Sequence, residues 1–156
     1  MKKTLILAVA ILTACGFSAA WGDDPTFLTG VGMLSGRGVQ PTPGVTVGID
    51  INTPRPVGIG IFSDFYLSPD GGYRPTTFVG VNALYKSASI EESRKGRAYF
   101  GGGGGLMNAD SSRLFINGVV GGNVKVAQGV NLFIQSKFYY IPKGRWNTGL
   151  HVGVSF

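Results

Sequence analysis

A chain of 156 residues with 26 glycines, 14% charged residues and a formal net charge of +6 is at most one domain, and it carries too little charge to coat a soluble surface generously. The basic excess forms no stripe interleaved with aromatics, so nucleic acid is not an expected partner, and no clustered Cys, His or carboxylate ligands point to a metal or another cofactor. The single cysteine, Cys15, excludes an intramolecular disulfide.

In chain order, the first element is a leader. A Lys2-Lys3 head, an apolar centre from Leu5 to Leu12 and small residues after it read as a secretory signal peptide over residues 1–22, cleaved after Ala20 or Gly22. A rival site exists at Leu12-Thr13-Ala14-Cys15, which resembles a bacterial lipobox and would make Cys15 a lipidated first residue. Without Lys2 and Lys3, twelve basic and eight acidic residues leave the mature chain, residues 23–156, at +4. No later apolar run is long enough for a transmembrane helix.

After the acidic linker Asp23-Asp24-Pro25, apolar and polar or bare positions alternate with the period of a β-strand. The first strand is predicted over Phe27–Ser35, and SGRGVQPTPG after it reads as a loop. Val45, Val47, Ile49 and Ile51 mark the second strand, and TPRP reads as a tight turn. The third, Val57 to Tyr66, sets Val57, Ile59, Ile61 and Phe65 against Gly58, Gly60, Phe62 and Asp64. SPDGGYRP leads to a fourth strand, Thr77 to Tyr85, and the polar connection SIEESRKGR to a fifth, Arg97 to Met107. That strand contains Gly101 to Gly105, which no Lys-Ser or Lys-Thr follows, so it reads as close packing and not as a phosphate loop. Arg113–Val126 and Val130–Tyr140 are the sixth and seventh strands, and IPKGR leads to the last.

The last stretch, WNTGLHVGVSF, fixes the interpretation. Trp146, Thr148, Leu150, Val152, Val154 and Phe156 form one face, with an aromatic ring at each end, roughly 33 Å apart at about 3.3 Å per residue. A hydrocarbon core has similar thickness, and aromatic rings prefer its two boundaries. An alternating final strand that ends on Phe156 resembles the last strand of a bacterial outer-membrane β-barrel. With the leader and the hairpin series, the mature chain resembles the small barrels of the OmpA and OmpX type. The expected fold is therefore all-β, a closed antiparallel up-and-down transmembrane barrel of about eight strands, located in the outer membrane of a Gram-negative bacterium.

The aromatic residues and glycines assign the faces. Phe65, Tyr140 and Trp146 fall at one level and Phe27, Tyr85, Phe100 and Phe156 at the other, all on their strand's apolar face, as membrane girdles require. The opposite face carries Gly30, Gly32, Gly48, Gly58, Gly60, Gly80, Gly149 and Gly153, spacers suited to a narrow lumen filled by Phe62, Tyr66, Phe78, Phe133 and Tyr139. Asp50, Asp64, Asn82, Lys125, Gln135, Lys137 and His151 share the lumen parity and are the expected polar network. Asp64 is expected level with Lys137, and Asp50 with Lys125.

The resemblance implies that Phe156 is part of a signal read by the barrel assembly machinery, and that outer-membrane lipid and lipopolysaccharide surround a monomer. The expected role is structural or surface interaction without catalysis. Two alternatives stand beside it: a lipid A-modifying outer-membrane enzyme, for which no His-x-Ser cluster or leading amphipathic helix is seen, and a soluble periplasmic lipid-binding barrel with its apolar face inside.

Overall fold

The computed structural model describes residues 25–36, 39–52, 56–67, 75–87, 96–109, 111–142 and 145–156; the leader, both cleavage sites and Cys15 lie outside them. Eight strands follow one another: β1 (Thr26–Gly36), β2 (Val39–Ile51), β3 (Val57–Tyr66), β4 (Thr76–Lys86), β5 (Gly96–Asn108), β6 (Ser112–Ala127), β7 (Val130–Ile141) and β8 (Arg145–Ser155). Each pairs antiparallel with its neighbour in sequence, and β8 returns to pair with β1, so the sheet is a closed barrel with no free edge. Phe156 continues the closure, since Phe27 and Phe156 exchange both backbone N–H···O bonds at 2.8 and 3.0 Å.

The register sets the tilt. Thr26 pairs with Asp50, and the pairings run on through Gly60, Asn82, Gly103, Asn117, Tyr139 and Asn147 to Gly36, ten residues along β1 from the start. That stagger over eight strands corresponds to a strand tilt of about 40°. The end where β1 begins and β8 finishes is called the lower end here.

Alternation sorts the side chains as the strand period requires. Val31, Val45, Val81, Ile116, Ile134 and Val152 are exposed on the outside, while Phe62, Tyr66, Phe78, Phe115, Phe133 and Tyr139 are buried inside. The apolar face therefore points outward, the reverse of what the soluble lipid-binding alternative requires. Inward glycines make the space for the inward rings. A Cβ on Gly80 would meet Phe62 at 2.8 Å and Phe115 at 3.0 Å, and one on Gly121 would meet the Tyr99 hydroxyl at 2.7 Å. In β5, Gly101, Gly103 and Gly105 take the inward parity opposite Leu84, Asn82 and Gly80, and Gly102 and Gly104 leave the outer surface bare.

Several strand boundaries differ from the sequence expectation. Most of SGRGVQPTPG is strand, because β2 begins at Val39 and pairs with β1 despite Pro41 and Pro43. The Pro43 carbonyl accepts the Leu67 N–H at 3.0 Å, which shows that Pro43 turns its backbone polar side toward β3. The paired β3 ladder ends at Gly44 and Tyr66, so the missing N–H of Pro43 forgoes only a bond to the Leu67 carbonyl at the ladder's end. The polar connection after β4 also ends one residue before the expected start of β5, because Gly96 already pairs with Val124 of β6.

Candidate functional site

The lumen holds the chemistry-bearing side chains, on three levels. At the top, Leu34, Phe62, Tyr66, Phe78, Met107, Phe115, Tyr139 and Ile141 form one apolar cluster. Phe78 stacks on Tyr139 with ring centroids 4.3 Å apart, and Phe115 meets Phe78 edge-on at 5.3 Å. This cluster plugs the upper lumen with rings from four strands.

Among these rings, between Phe62 and Tyr66 along β3, sits Asp64, fully buried and facing Lys137 of β7 across the barrel. The Lys137 ammonium donates to both Asp64 oxygens, at 2.9 and 2.8 Å, and its Nζ lies 3.8 Å from the Phe62 ring centroid. The Thr46 hydroxyl donates to Oδ1 and the Tyr139 hydroxyl to Oδ2, so the carboxylate has donors on both oxygens. Tyr66 lies 2.6 Å from His151 Nε2 and 3.5 Å from the Tyr139 hydroxyl. His151 Nε2 stands 3.9 Å from Asp64, and its ring edge lies against Gly32, where no Cβ would fit. Burial of Asp64 or Lys137 alone would cost several kcal/mol; the pair and its hydroxyl donors offset this.

Along the wall formed by β4, β5 and β6, Asn82 and Asn117 flank the bare Gly103. Asn82 Oδ1 and both amide atoms of Asn117 are buried without a hydrogen-bond partner among the described residues. Gln135 accepts from the Tyr99 hydroxyl at 3.1 Å and lines a small cavity of about 20 Å³ with Asp50, Asn82 and Lys137, enough for about one water.

The lower level is open. Asp50 is bound by Lys86 at 3.2 Å, and the same ammonium donates to Asn52 Oδ1 at 2.6 Å. The expected pairing of Asp50 with Lys125 is not the one seen: Lys125 is exposed at the lower rim, where the register between β6 and β7 breaks at Lys125/Ala127. Lys86 was missed because β4 was ended one residue early at Tyr85; one more step of the alternation puts Lys86 on the lumen face. The barrel thus brings Asp64, Lys137 and His151 together, places Asp50, Asn82 and Gln135 below them, and leaves Lys125 at the mouth.

The outer face carries the aromatic positions in cross-strand pairs. Phe27 stacks with Phe156 at 6.3 Å and Tyr85 meets Phe100 at 5.2 Å at the lower end; Tyr140 meets Trp146 at 4.7 Å at the upper end, where Phe65 also lies. Ser155, on the same face of β8 as His151, lies in the lumen beside Asn131 at 3.5 Å, while His151 contacts Tyr66.

No protein-family model matches this chain, and no curated protein matches it. Among solved structures it is similar to the N-terminal β-barrel domain of Pseudomonas aeruginosa OprF, with a TM-score of 0.58 and 16% identity over 86% of this chain and 98% of that one. It is also similar to Neisserial surface protein A, at a TM-score of 0.60 and 13% identity over 84% and 94% of the two chains. The attachment invasion locus protein Ail of Yersinia pestis matches at a TM-score of 0.51 and 8% identity over 85% and 96%. All three are small outer-membrane barrels, and the closed eight-stranded architecture is what this chain shares with them.

Proposed function

We propose that this protein resides in the outer membrane of a Gram-negative envelope and serves as a structural or surface-interaction barrel, without catalysis. The observation that carries the reading is the inside-out distribution of its side chains. Val31, Val81, Val120, Leu150 and Val152 stand exposed around the outside, and aromatic pairs border them at both ends. An ion pair and four hydroxyl or imidazole groups lie at the centre. Water would penalise that outer surface, whereas a hydrocarbon core bounded by two aromatic belts solvates it.

A non-catalytic role is supported by the burial of the only histidine. His151 is sealed between Gly32, Gly149 and Tyr66, and a lipid-modifying enzyme needs its polar groups at a lipid-accessible edge. The upper connections are short. Two residues separate β1 from β2, three separate β5 from β6 and three separate β7 from β8, whereas nine lie between β3 and β4. With the upper end outside the cell, surface interaction then falls chiefly to residues 67–75. Two of the similar barrels carry "surface" or "attachment" in their names, which agrees with such a role.

Cell fractionation with a heat-modifiability gel tests the proposal. The mature chain is expected in the outer-membrane fraction and to migrate differently before and after boiling; recovery in the soluble periplasmic fraction would refute it. Deleting Phe156 removes both backbone bonds to Phe27 and the stacked ring. We expect lower outer-membrane levels and more degradation, read by immunoblot against the intact chain.

A further inference from the structure

The lower lumen opens into a cavity of about 270 Å³ whose walls come from all strands but β3. Its floor is apolar, made by Leu28, Tyr99 and Phe133, and its sides are polar. Three cations stand on it, Lys86, Arg97 and Lys125, against one carboxylate, Asp50. Asp50 is already matched by Lys86, which uses two of its three donors on Asp50 and Asn52. Arg97 and Lys125 have no hydrogen-bond or ion-pair partner among the described residues, and both are exposed at the rim. They stand on neighbouring strands. Asn123, which pairs with Arg97, and Asn131, which pairs with Lys125, add side-chain amides beside them.

From this cup we infer an oxyanion-binding site that takes a phosphate or carboxylate group. A divalent cation would meet three positive charges and a single carboxylate that is already paired. An apolar ligand would strip water from the cationic and amide groups without replacing their hydrogen bonds. A phosphate or carboxylate would instead accept from the Arg97 guanidinium, the Lys125 ammonium and the two amides, the donor set such groups favour. The aromatic cluster above closes the lumen, so the cup is a dead end and its ligand enters from the lower side. That this side faces the periplasm rests on the function proposed above; the binding chemistry does not.

The oxyanion has two sources. It is a free anion, or it is a carboxylate of the chain itself, since Asp23 and Asp24 precede the rim residue Thr26 closely in sequence, and Glu91 and Glu92 precede Gly96. Inorganic phosphate is the probe. The mature barrel in zwitterionic micelles, its fold verified by heat-modifiable migration, would be titrated and the side-chain amide signals of Asn123 and Asn131 followed by NMR, with sodium chloride at matched ionic strength as the control. Saturable shifts at these two amides, weakened at least tenfold by Arg97→Gln with Lys125→Gln, are expected if the free anion is the occupant. Shifts that appear, or strengthen at least tenfold, only once Asp23, Asp24, Glu91 and Glu92 are replaced by their amides identify the chain's own carboxylates as the occupant. Shifts that chloride reproduces, that the double substitution leaves unchanged, or that occur in neither protein overturn the site. Heat-modifiability lost in all samples would count against the barrel and not against the cup.

Discussion

Around and above Lys137 the lumen is packed with aromatic rings and one buried ion pair, whereas below it seven of the eight strands wall a polar cup open at the rim. Both halves obey one alternation, and what differs is the polarity of most of the inward residues. In the upper half, Phe62, Phe78, Phe115, Tyr66 and Tyr139 meet across a narrow interior, so glycines must face them. In the lower half the inward residues are Asp50, Lys86, Arg97, Asn123 and Asn131, whose polar ends favour water over mutual packing. A small barrel can thus be solid at one end and hydrated at the other without any change in strand number.

The largest effect should come from breaking the upper ion pair. Asp64→Ala would leave Lys137 buried and uncompensated, with an expected loss of about 3–5 kcal/mol. Replacing Asp64 and Lys137 together by apolar residues of similar volume should cost much less. Urea unfolding in lipid or detergent gives the double-mutant cycle, and additive losses would mean that the two charges do not interact. In contrast, the lower pair of Lys86 and Asp50 is partly exposed and should contribute far less.

An intermediate effect separates inward from outward glycines. A Cβ at Gly103 would strike the Val81 carbonyl and lie 2.8 Å from Asn82 Oδ1, so Gly103→Ala should cost about 1–3 kcal/mol. At Gly118, on the outer face, the nearest atom to an added Cβ is 3.9 Å away. Gly118→Ala should stay within about 0.5 kcal/mol of the parent in the same unfolding assay. Equal effects at the two positions would contradict the assigned faces. The smallest signal should be electrical: with the upper lumen filled, planar-bilayer recordings should show no large, steady single-channel currents.

The sequence made the strands legible because alternation is a local property that survives in each segment. It also exposed the inward rings, since parity needs no knowledge of the register; it set Asp64 level with Lys137 by counting residues from the two strand starts, and in the structure the two side chains form an ion pair. What it hid depends on the register. Lys86 was lost at a strand boundary, and Lys125 was placed inside although the irregularity at the end of β6 leaves it at the rim. Pro41 and Pro43 read as a loop because their tolerance depends on where the β3 ladder stops, which only the paired structure reveals. The hydroxyls of Thr46, Tyr66 and Tyr139 around Asp64 were equally hidden, because they converge from three strands and share no local motif.

The central claim is that the apolar outer face lies in hydrocarbon. Residues 23–156 contain no cysteine, so in that segment single cysteines can be placed at Val81, Val120 and Val152, labelled with a fluorophore and reconstituted with lipids brominated at chosen depths. All three positions lie outside, mid-strand and exposed. Strongest quenching by lipids brominated deep in the acyl chain is the expected result; fluorescence that brominated lipid leaves untouched and aqueous iodide quenches would contradict it.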